Sequence, residues 1–259
     1  MKYINTIIII FLSIFFSFSQ PNFCFKSQES YSTIVPWNLI TSAASNVSFL
    51  EKGDFNKDGK LDYAFTVANN KVITYTGTGL GTFSLSNTYT LGSSGILPIT
   101  SGDYNNDTNL DLIVASNFSN DITLLSGDGA GNFSISPIFT PTSQPRNLIT
   151  DDVNNDGNKD LITFANDVLI SLGNGNGNFN TPIALSSFVG LEGVCVDINN
   201  DSNKDLVIQS AGTLRIHLGN GAGNFTYTGG FPTGYSGWCT GIVSKDFNTD
   251  GNADIAIAT

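Results

Sequence analysis

The residues best suited to chemistry in this chain are aspartates that recur in five loops of nine residues each. Every loop has Asp at positions one, five and nine and Asn at position three, and successive loops begin 49, 49, 45 and 49 residues apart. The five sets are Asp54, Asn56, Asp58 and Asp62; Asp103, Asn105, Asp107 and Asp111; Asp152, Asn154, Asp156 and Asp160; Asp197, Asn199, Asp201 and Asp205; and Asp246, Asn248, Asp250 and Asp254. Three carboxylates this close together resist joint ionisation unless a cation relieves their repulsion. The pattern therefore indicates metal sites with oxygen ligands.

Calcium is the divalent cation that best tolerates the flexible geometry of so short a loop, so we expect up to five calcium ions. Position seven would contribute its backbone carbonyl. Position six is glycine in loops one, three and five, as expected where a turn needs positive φ, but it is Thr108 in loop two and Ser202 in loop four. Because these two residues resist a left-handed backbone, we predict weaker sites in loops two and four. A metal-free turn rich in Asn and Asp is the alternative.

Two other calcium-binding motifs do not match the pattern. An EF-hand needs a glutamate at position twelve, followed by an amphipathic helix. Here each loop leads into a short apolar run typical of a strand, and position twelve is Phe65, Val114, Thr163, Ile208 and Ile257 in turn. A calcium-binding β-roll repeats about every nine residues, which is far shorter than the spacing seen here.

A second motif, Gly-x-Gly-x-Gly-x-Phe, follows each of the first four loops. The copies span residues 77–83, 127–133, 173–179 and 219–225. No helix follows, so phosphate binding is not indicated, whereas a tight hairpin with a large core residue after it is. Each unit then reads strand, loop, strand, turn, strand, glycine turn, strand; in the second unit the strands are expected at 97–102, 112–116, 122–125 and 133–139. This pattern predicts an all-β fold, a β-propeller of four-stranded antiparallel blades.

The acidic loop and the glycine turn together resemble the FG-GAP repeat, also called the VCBS-type repeat, from residue 47 to the end of the chain. The repeat is familiar from the propeller of integrin α-subunits and from many exported bacterial proteins. The resemblance implies a structural calcium ion in each loop, between the first two strands of a blade. It also implies that ligands bind on the opposite face or at the rim.

The chain divides into three parts. Residues 1–19 are expected to be a signal peptide, and residues 20–45 an N-terminal segment holding one strand of a preceding blade. Residues 46–259 hold about 4.5 blades, at 46–95, 96–145, 146–190, 191–239 and, in part, 240–259. The segment Ser32–Thr41 is assigned to an outermost strand because residues 37–41 are similar to 146–150. With 19 strands expected, we predict the N-terminal part of a longer protein; a five-bladed ring lacking one strand is the alternative.

The leader and the charge indicate where the protein acts. Lys2, the apolar run 7–16 and Ser17–Ser19 fit a cleavable secretory signal, so we expect a secreted or cell-surface protein without membrane insertion after cleavage; a membrane anchor is the alternative. The 22 acidic and 11 basic residues form no basic stripe, which argues against nucleic acid as a partner. Cys195 and Cys239 lie at different distances from their loops, which argues against a disulfide between them.

The chain shows no catalytic constellation, and we expect that it is not an enzyme. Its single histidine, His217, lies in a strand-like run without a partner base or nucleophile nearby in sequence. One segment, residues 229–238, places Phe231, Tyr235 and Trp238 among glycines, and these aromatics could bind a ligand or instead pack between blades.

The leading hypothesis is a calcium-stabilised adhesion or ligand-binding module with an extracellular protein or carbohydrate ligand. A scaffold or accessory domain of a larger exported protein, carrying an enzyme or a sorting domain, is the alternative. A propeller hydrolase or lyase is a weaker one.

Overall fold

A computed structural model describes residues 47–67, 70–92, 95, 98–141, 143–185, 190, 192–234 and 241–258. Within these ranges the chain forms strands and turns and no helix. The described residues accordingly contain no helix of the length and apolarity needed to cross a membrane. The predicted signal peptide, residues 1–19, and the N-terminal segment, residues 20–45, lie outside the described residues.

The strands form four four-stranded sheets and one two-stranded sheet, each built from consecutive strands and here called blades one to five. Blade one holds β1 (Val47–Gly53), β2 (Asp62–Val67), β3 (Lys71–Gly77) and β4 (Phe83–Thr90). Blade two holds β5 (Ile99–Gly102), β6 (Asp111–Ala115), β7 (Ile122–Gly127) and β8 (Phe133–Phe139). Blade three holds β9 (Asn147–Asp151), β10 (Asp160–Phe164), β11 (Val168–Ser171) and β12 (Ile183–Ala184). Blade four holds β13 (Glu192–Val196), β14 (Asp205–Ser210), β15 (Thr213–Gly219) and β16 (Phe225–Pro232), and blade five holds β17 (Gly241–Lys245) and β18 (Asp254–Ala258).

The blades are arranged side by side through their first strands. Neighbouring strands within every blade pair antiparallel, as short connections require. The first strand of each blade lies beside the first strand of the next, in the order β1, β5, β9, β13 and β17. The fourth strands are the outermost, and in blades one, two and four most of their side chains are exposed. This is the arrangement of propeller blades around a common axis.

The second strand of each complete blade is the centre of the core. All five side chains of β6 and of β10 are buried, as are all six of β14. A strand covered on both faces needs apolar residues at consecutive positions instead of in alternation. The runs Leu112–Val114 and Leu206–Ile208 meet that need, because one face packs on the preceding blade and the other on the following blade.

Each pair of neighbouring blades shares one apolar cluster. Between blades one and two, Ala64 and Val72 pack with Leu112, Val114 and Leu125. Three similar clusters join blades two and three, three and four, and four and five. The last cluster includes Ile242, Ile255 and Ile257 of blade five. Burial between successive sheets is therefore what holds the described part of the chain together.

The phenylalanine of the glycine turn contributes to these contacts between blades. The Phe133 ring lies 5.7 Å from the Phe55 ring of the preceding blade, edge to face. The same turn also makes a backbone contact, since the Gly131 N–H donates to the Phe55 carbonyl at 3.1 Å. In the next blade the Gly177 N–H donates to the Tyr104 carbonyl at 2.8 Å. The glycine turn of one blade thus sits against the acidic loop of the blade before it.

The predicted fold is confirmed. The chain is all-β, the blades are four-stranded and antiparallel, and the four predicted strands of the second unit match β5 to β8 with ends that shift by one or two residues. The reason for assigning Ser32–Thr41 to an outermost strand was wrong. That assignment used the similarity of residues 37–41 to 146–150, but 146–150 fall largely in β9, which is the first strand of its blade and not the outermost. The segment Ser32–Thr41 itself lies outside the described residues.

Candidate metal centre

Each acidic loop connects the first and second strands of its blade. Position one follows the first strand, and position nine is the first residue of the second strand, as with Asp160 at the start of β10. The structure therefore brings together, loop by loop, the four residues that the sequence pattern grouped.

The side chains at positions one, three and five hold the loop in shape by accepting backbone N–H groups. In loop three, Asp152 accepts the N–H of Asp156 at 3.2 Å and that of Gly157 at 2.9 Å. Asn154 also accepts the N–H of Asp156, at 3.0 Å, and Asp156 accepts that of position seven at 2.8 Å. The same four bonds recur in the other four loops. The oxygens of positions one and three thus converge on one N–H group.

The position-nine aspartate is buried and joins two elements of its blade. Asp160 accepts the N–H of Val153 with one oxygen, at 2.9 Å, and the N–H of Gly173 with the other, at 2.8 Å. Asp62, Asp111 and Asp205 make the equivalent pairs of bonds in blades one, two and four. Val153 is position two of the loop, and Gly173 opens the glycine turn. The carboxylate therefore ties the loop to the far end of the third strand.

In blade five, one of the two hydrogen bonds to the position-nine aspartate is found among the described residues. Asp254 accepts the N–H of Phe247 at 2.9 Å. Its other oxygen is buried and has no hydrogen-bond partner among the described residues.

The three carboxylates of a loop are close enough to influence one another. Burial is the main cause that raises the pKa of Asp160 to about 6, its two N–H bonds oppose the rise, and the charges of Asp156 and Asp152 add to it. Burial also raises the pKa of Asp111 and of Asp205, and in each case the charges of positions five and one of the same loop add to the rise. A cation among the carboxylates would remove this repulsion.

The oxygen atoms available in each loop suit a hard cation. The side chains as they stand, however, are not arranged as a complete metal-binding group. No three His, Cys, Asp or Glu side chains among the described residues are arranged as a metal-binding group. Three carboxylates, an amide oxygen and a nearby carbonyl per loop are nevertheless the ligand types that calcium prefers. Positions one, three, five and nine, with the carbonyl of position seven, are the groups that would hold it.

Loop one differs from the others because it supplies a cation of its own. Lys60, at position seven, places its Nζ 3.1 Å from Asp58 Oδ2. This exposed ion pair is weak, but it competes for an oxygen that would otherwise face a metal ion.

Backbone conformation at position six is the same in all five loops. The φ angles are 78° at Gly59, 86° at Gly157 and at Gly251, 70° at Thr108 and 71° at Ser202. The predicted need for positive φ is confirmed. Thr108 and Ser202 adopt this conformation at the cost of strain and keep every hydrogen bond of the loop. Whether their loops bind more weakly stays a prediction.

Position four is also left-handed in every loop, which the sequence reasoning missed. The residues are Lys57, Asn106, Asn155, Asn200 and Thr249, with φ between 57° and 63°. The signal that could have shown it is the Asn-Asn pair at positions three and four of loops two, three and four, since asparagine tolerates this conformation better than most residues.

The other singled-out residues lie away from the loops. His217 is buried on β15, its ring 5.2 Å from that of Tyr227, and burial with the nearby Arg215 charge lowers the pKa of His217 to about 4.

Phe231 lies on the outermost strand of blade four and is 39% exposed. Tyr235 and Trp238 lie outside the described residues. Cys195 carries a free thiol, and Cys239 is also outside the described residues.

Comparison with known proteins agrees with this architecture. The sequence model of the FG-GAP-like repeat matches residues 54–114, 103–163 and 197–257, which together make up more than half of the chain. Each matched stretch begins at position one of a loop and extends into the second strand of the next blade. No curated protein sequence matches the chain.

Two solved structures share the fold at low sequence identity. One is an Agrocybe aegerita lectin with specific recognition of non-reducing terminal N-acetylglucosamine; it is 19% identical, with a TM-score of 0.54, over 70% of this chain and 50% of its own. The other is BBS1N in complex with ARL6DN, 13% identical with a TM-score of 0.57, over 77% of this chain and 60% of its own. The chain thus spans about half to three fifths of these two proteins.

The role of position nine can be tested without metal. In EDTA, Asp205→Asn should lower the free energy of unfolding by about 1–3 kcal/mol, because the amide NH₂ would face a buried backbone N–H that now has an acceptor. Urea denaturation measures this change. Asp201→Asn is the control, since its amide oxygen can still accept the N–H of Asn203 and the residue is exposed. Equal effects of the two substitutions would show that position nine has no special structural role.

The strain at position six predicts that Ser202→Gly stabilises the protein. Glycine adopts φ near 71° without the steric cost that serine pays, which should raise the free energy of unfolding by about 0.5–1 kcal/mol. Gly157→Ser is the reciprocal change and should lower it by a similar amount, because a Cβ there meets no atom within 4 Å and only backbone strain contributes. Thermal denaturation of the two variants beside the parent measures both. Changes of the same sign would contradict the strain argument.

Proposed function

This chain belongs to the FG-GAP-like repeat family, and we propose that it is an exported β-propeller, stabilised by calcium, that binds an extracellular protein or carbohydrate ligand. The fold and the repeats identify a ligand-binding or scaffold module in general. The observation that carries the calcium proposal is the loop itself: in all five copies the same four hydrogen bonds hold two carboxylates and an amide oxygen, and a third carboxylate stands at position nine. Turn chemistry alone does not require three carboxylates in each copy.

Calcium would act on stability in this proposal and not in a reaction. When bound, the ion neutralises the carboxylates and fixes the loop between the first and second strands. The chain's own residues prepare the site, because the N–H bonds of positions five, six and seven hold the oxygens of positions one, three and five. Weak sites of this kind fill where calcium is millimolar, as it is outside cells, which agrees with the secretory signal expected at residues 1–19.

The proposal also excludes catalysis by the residues singled out above. His217 is buried and held neutral by a pKa of about 4, so it is poorly placed to exchange protons with a substrate. The paired carboxylates are assigned to calcium, which leaves no acid–base pair among them.

Calcium should raise the melting temperature of the protein, and EDTA should lower it. Each saturated site contributes about 2.7 kcal/mol when the free calcium concentration is one hundred times its Kd. Differential scanning calorimetry at several calcium concentrations measures the effect, with magnesium as the comparison ion. Asp156→Asn should remove one equivalent of bound calcium in isothermal titration calorimetry. A melting temperature that does not respond to calcium or EDTA would refute the proposal.

The ligand site is proposed at Phe231, on the outermost strand of blade four, together with Tyr235 and Trp238 of the same sequence segment. Phe231 pairs with Leu214, whose side chain packs toward blade five, and its ring is partly exposed on that side. Tyr227, also exposed on β16, pairs with His217 and lies on the opposite side of the same strand, so it is not part of this site. Exposed aromatic rings stack on sugar rings or anchor protein partners. The two solved structures with the same fold, one a lectin and the other a protein complex, make both ligand classes reasonable to test.

Replacing Tyr235 and Trp238 with alanine should reduce ligand binding at least tenfold, since aromatic anchors each contribute about 2 kcal/mol or more at such sites. Glycan arrays and binding to intact cells are the measurements. Phe118→Ala is the matched control, because Phe118 is an aromatic residue that is 72% exposed in blade two. If the double variant binds as the parent does, the site lies elsewhere.

A further inference from the structure

Neighbouring acidic loops are joined by a hydrogen bond between two asparagine side chains. Asn106 Nδ2 in loop two donates to Asn158 Oδ1 in loop three at 2.8 Å. The equivalent bonds run from Asn155 to Asn203, at 3.2 Å, and from Asn200 to Asn252, at 2.7 Å. In each case the donor is position four of one loop and the acceptor is position seven of the next. Loops two to five therefore form one connected series.

The acceptor asparagine also contacts the carboxylate of its own loop. In loop five, Asn252 Nδ2 donates to Asp250 Oδ1 at 2.9 Å, and Asp250 is position five. The amides of Asn158 and Asn203 also hydrogen-bond to the position-five aspartates of their own loops, Asp156 and Asp201. Position seven thus links the preceding loop to a carboxylate that would hold the cation.

The glycine turns leave room for these asparagine pairs. A Cβ atom added at Gly175 would collide with both Asn106 Nδ2 and Asn158 Oδ1. One added at Gly221 would collide with Asn203 Oδ1 and crowd Asn155 Nδ2. The second glycine of the turn therefore packs directly on the pair, which confines both amides to the hydrogen-bonded arrangement.

The first junction is built differently. Lys57 stands at position four of loop one, and its Nζ donates to Thr108 Oγ1 in loop two at 2.9 Å. Position six accepts here in place of position seven, so this junction is a lysine–threonine bond and not a pair of asparagine amides.

We propose that the asparagines at positions four and seven are positioning residues that couple calcium binding between adjacent loops, so that loops two to five fill cooperatively and loop one fills separately. This inference rests on the calcium proposal made above. Binding in one loop orders the backbone that carries its position-four side chain. That side chain then holds position seven of the next loop, whose carbonyl would be a ligand. Because this loop is already ordered, less conformational entropy is lost when the next ion binds.

The test is an isothermal calcium titration of the full chain and of two glycine variants. Asn155→Gly removes the donor between loops three and four while keeping a residue that tolerates φ near 59°. Thr249→Gly is the matched control: it makes the same kind of change at position four of loop five, where the side chain bonds, among the described residues, to the Asn248 carbonyl of its own loop. Melting temperatures in EDTA are measured for all three proteins.

The parent should bind calcium with a Hill coefficient above one. Asn155→Gly should lower that coefficient and weaken the average affinity by about 2- to 10-fold, as the loss of one hydrogen bond predicts, and Thr249→Gly should leave both unchanged. A purely structural bond would lower the melting temperature of Asn155→Gly in EDTA without altering its calcium isotherm, and this result would overturn the coupling while leaving calcium binding intact. Absence of calcium binding by the parent would overturn the proposed function itself.

Discussion

The structure depends on a buried carboxylate that accepts two backbone N–H groups from different parts of its blade. Asp160 does this between position two of loop three and the first residue of the following glycine turn. Bonds to a charged acceptor are stronger than neutral ones, and the two N–H groups would otherwise be buried without partners. The aspartate therefore determines where the loop ends and where the third strand stops.

Several other features follow from that anchor. With Gly173 held against the loop, a Cβ at this residue would collide with the Lys159 carbonyl, which explains why the turn opens with glycine. The turn then lies close enough to the preceding blade for its third glycine to donate to that blade's loop, as Gly177 does to Tyr104. One carboxylate thus links packing inside a blade with packing between blades. The acidic loops, the glycine turns and the contacts between neighbouring loops form a single polar layer at one end of the blades.

This layer and the apolar clusters have separate roles. The clusters bury apolar side chains of neighbouring blades against one another, and burial of apolar surface is the main favourable term in folding. The polar layer joins neighbouring blades at the loop end through backbone and side-chain hydrogen bonds. The proposed cations would lie in this layer, whereas Phe231 of the proposed ligand site lies on the outermost strand of blade four. The module can therefore be stabilised at one place and bind at another.

The sequence by itself determined the all-β class, the four-stranded antiparallel pattern of the repeat and the position of every acidic loop. It could do so because strand patterning, turn residues and ligand spacing are local properties that recur every 45 to 49 residues. Only the tertiary structure decided what depends on residues far apart in the chain: that position nine is a buried anchor, that Thr108 and Ser202 keep the loop geometry of glycine, and that Asn155 reaches Asn203 across a blade boundary. Such contacts depend on how neighbouring blades are packed, and no spacing within one repeat contains that information.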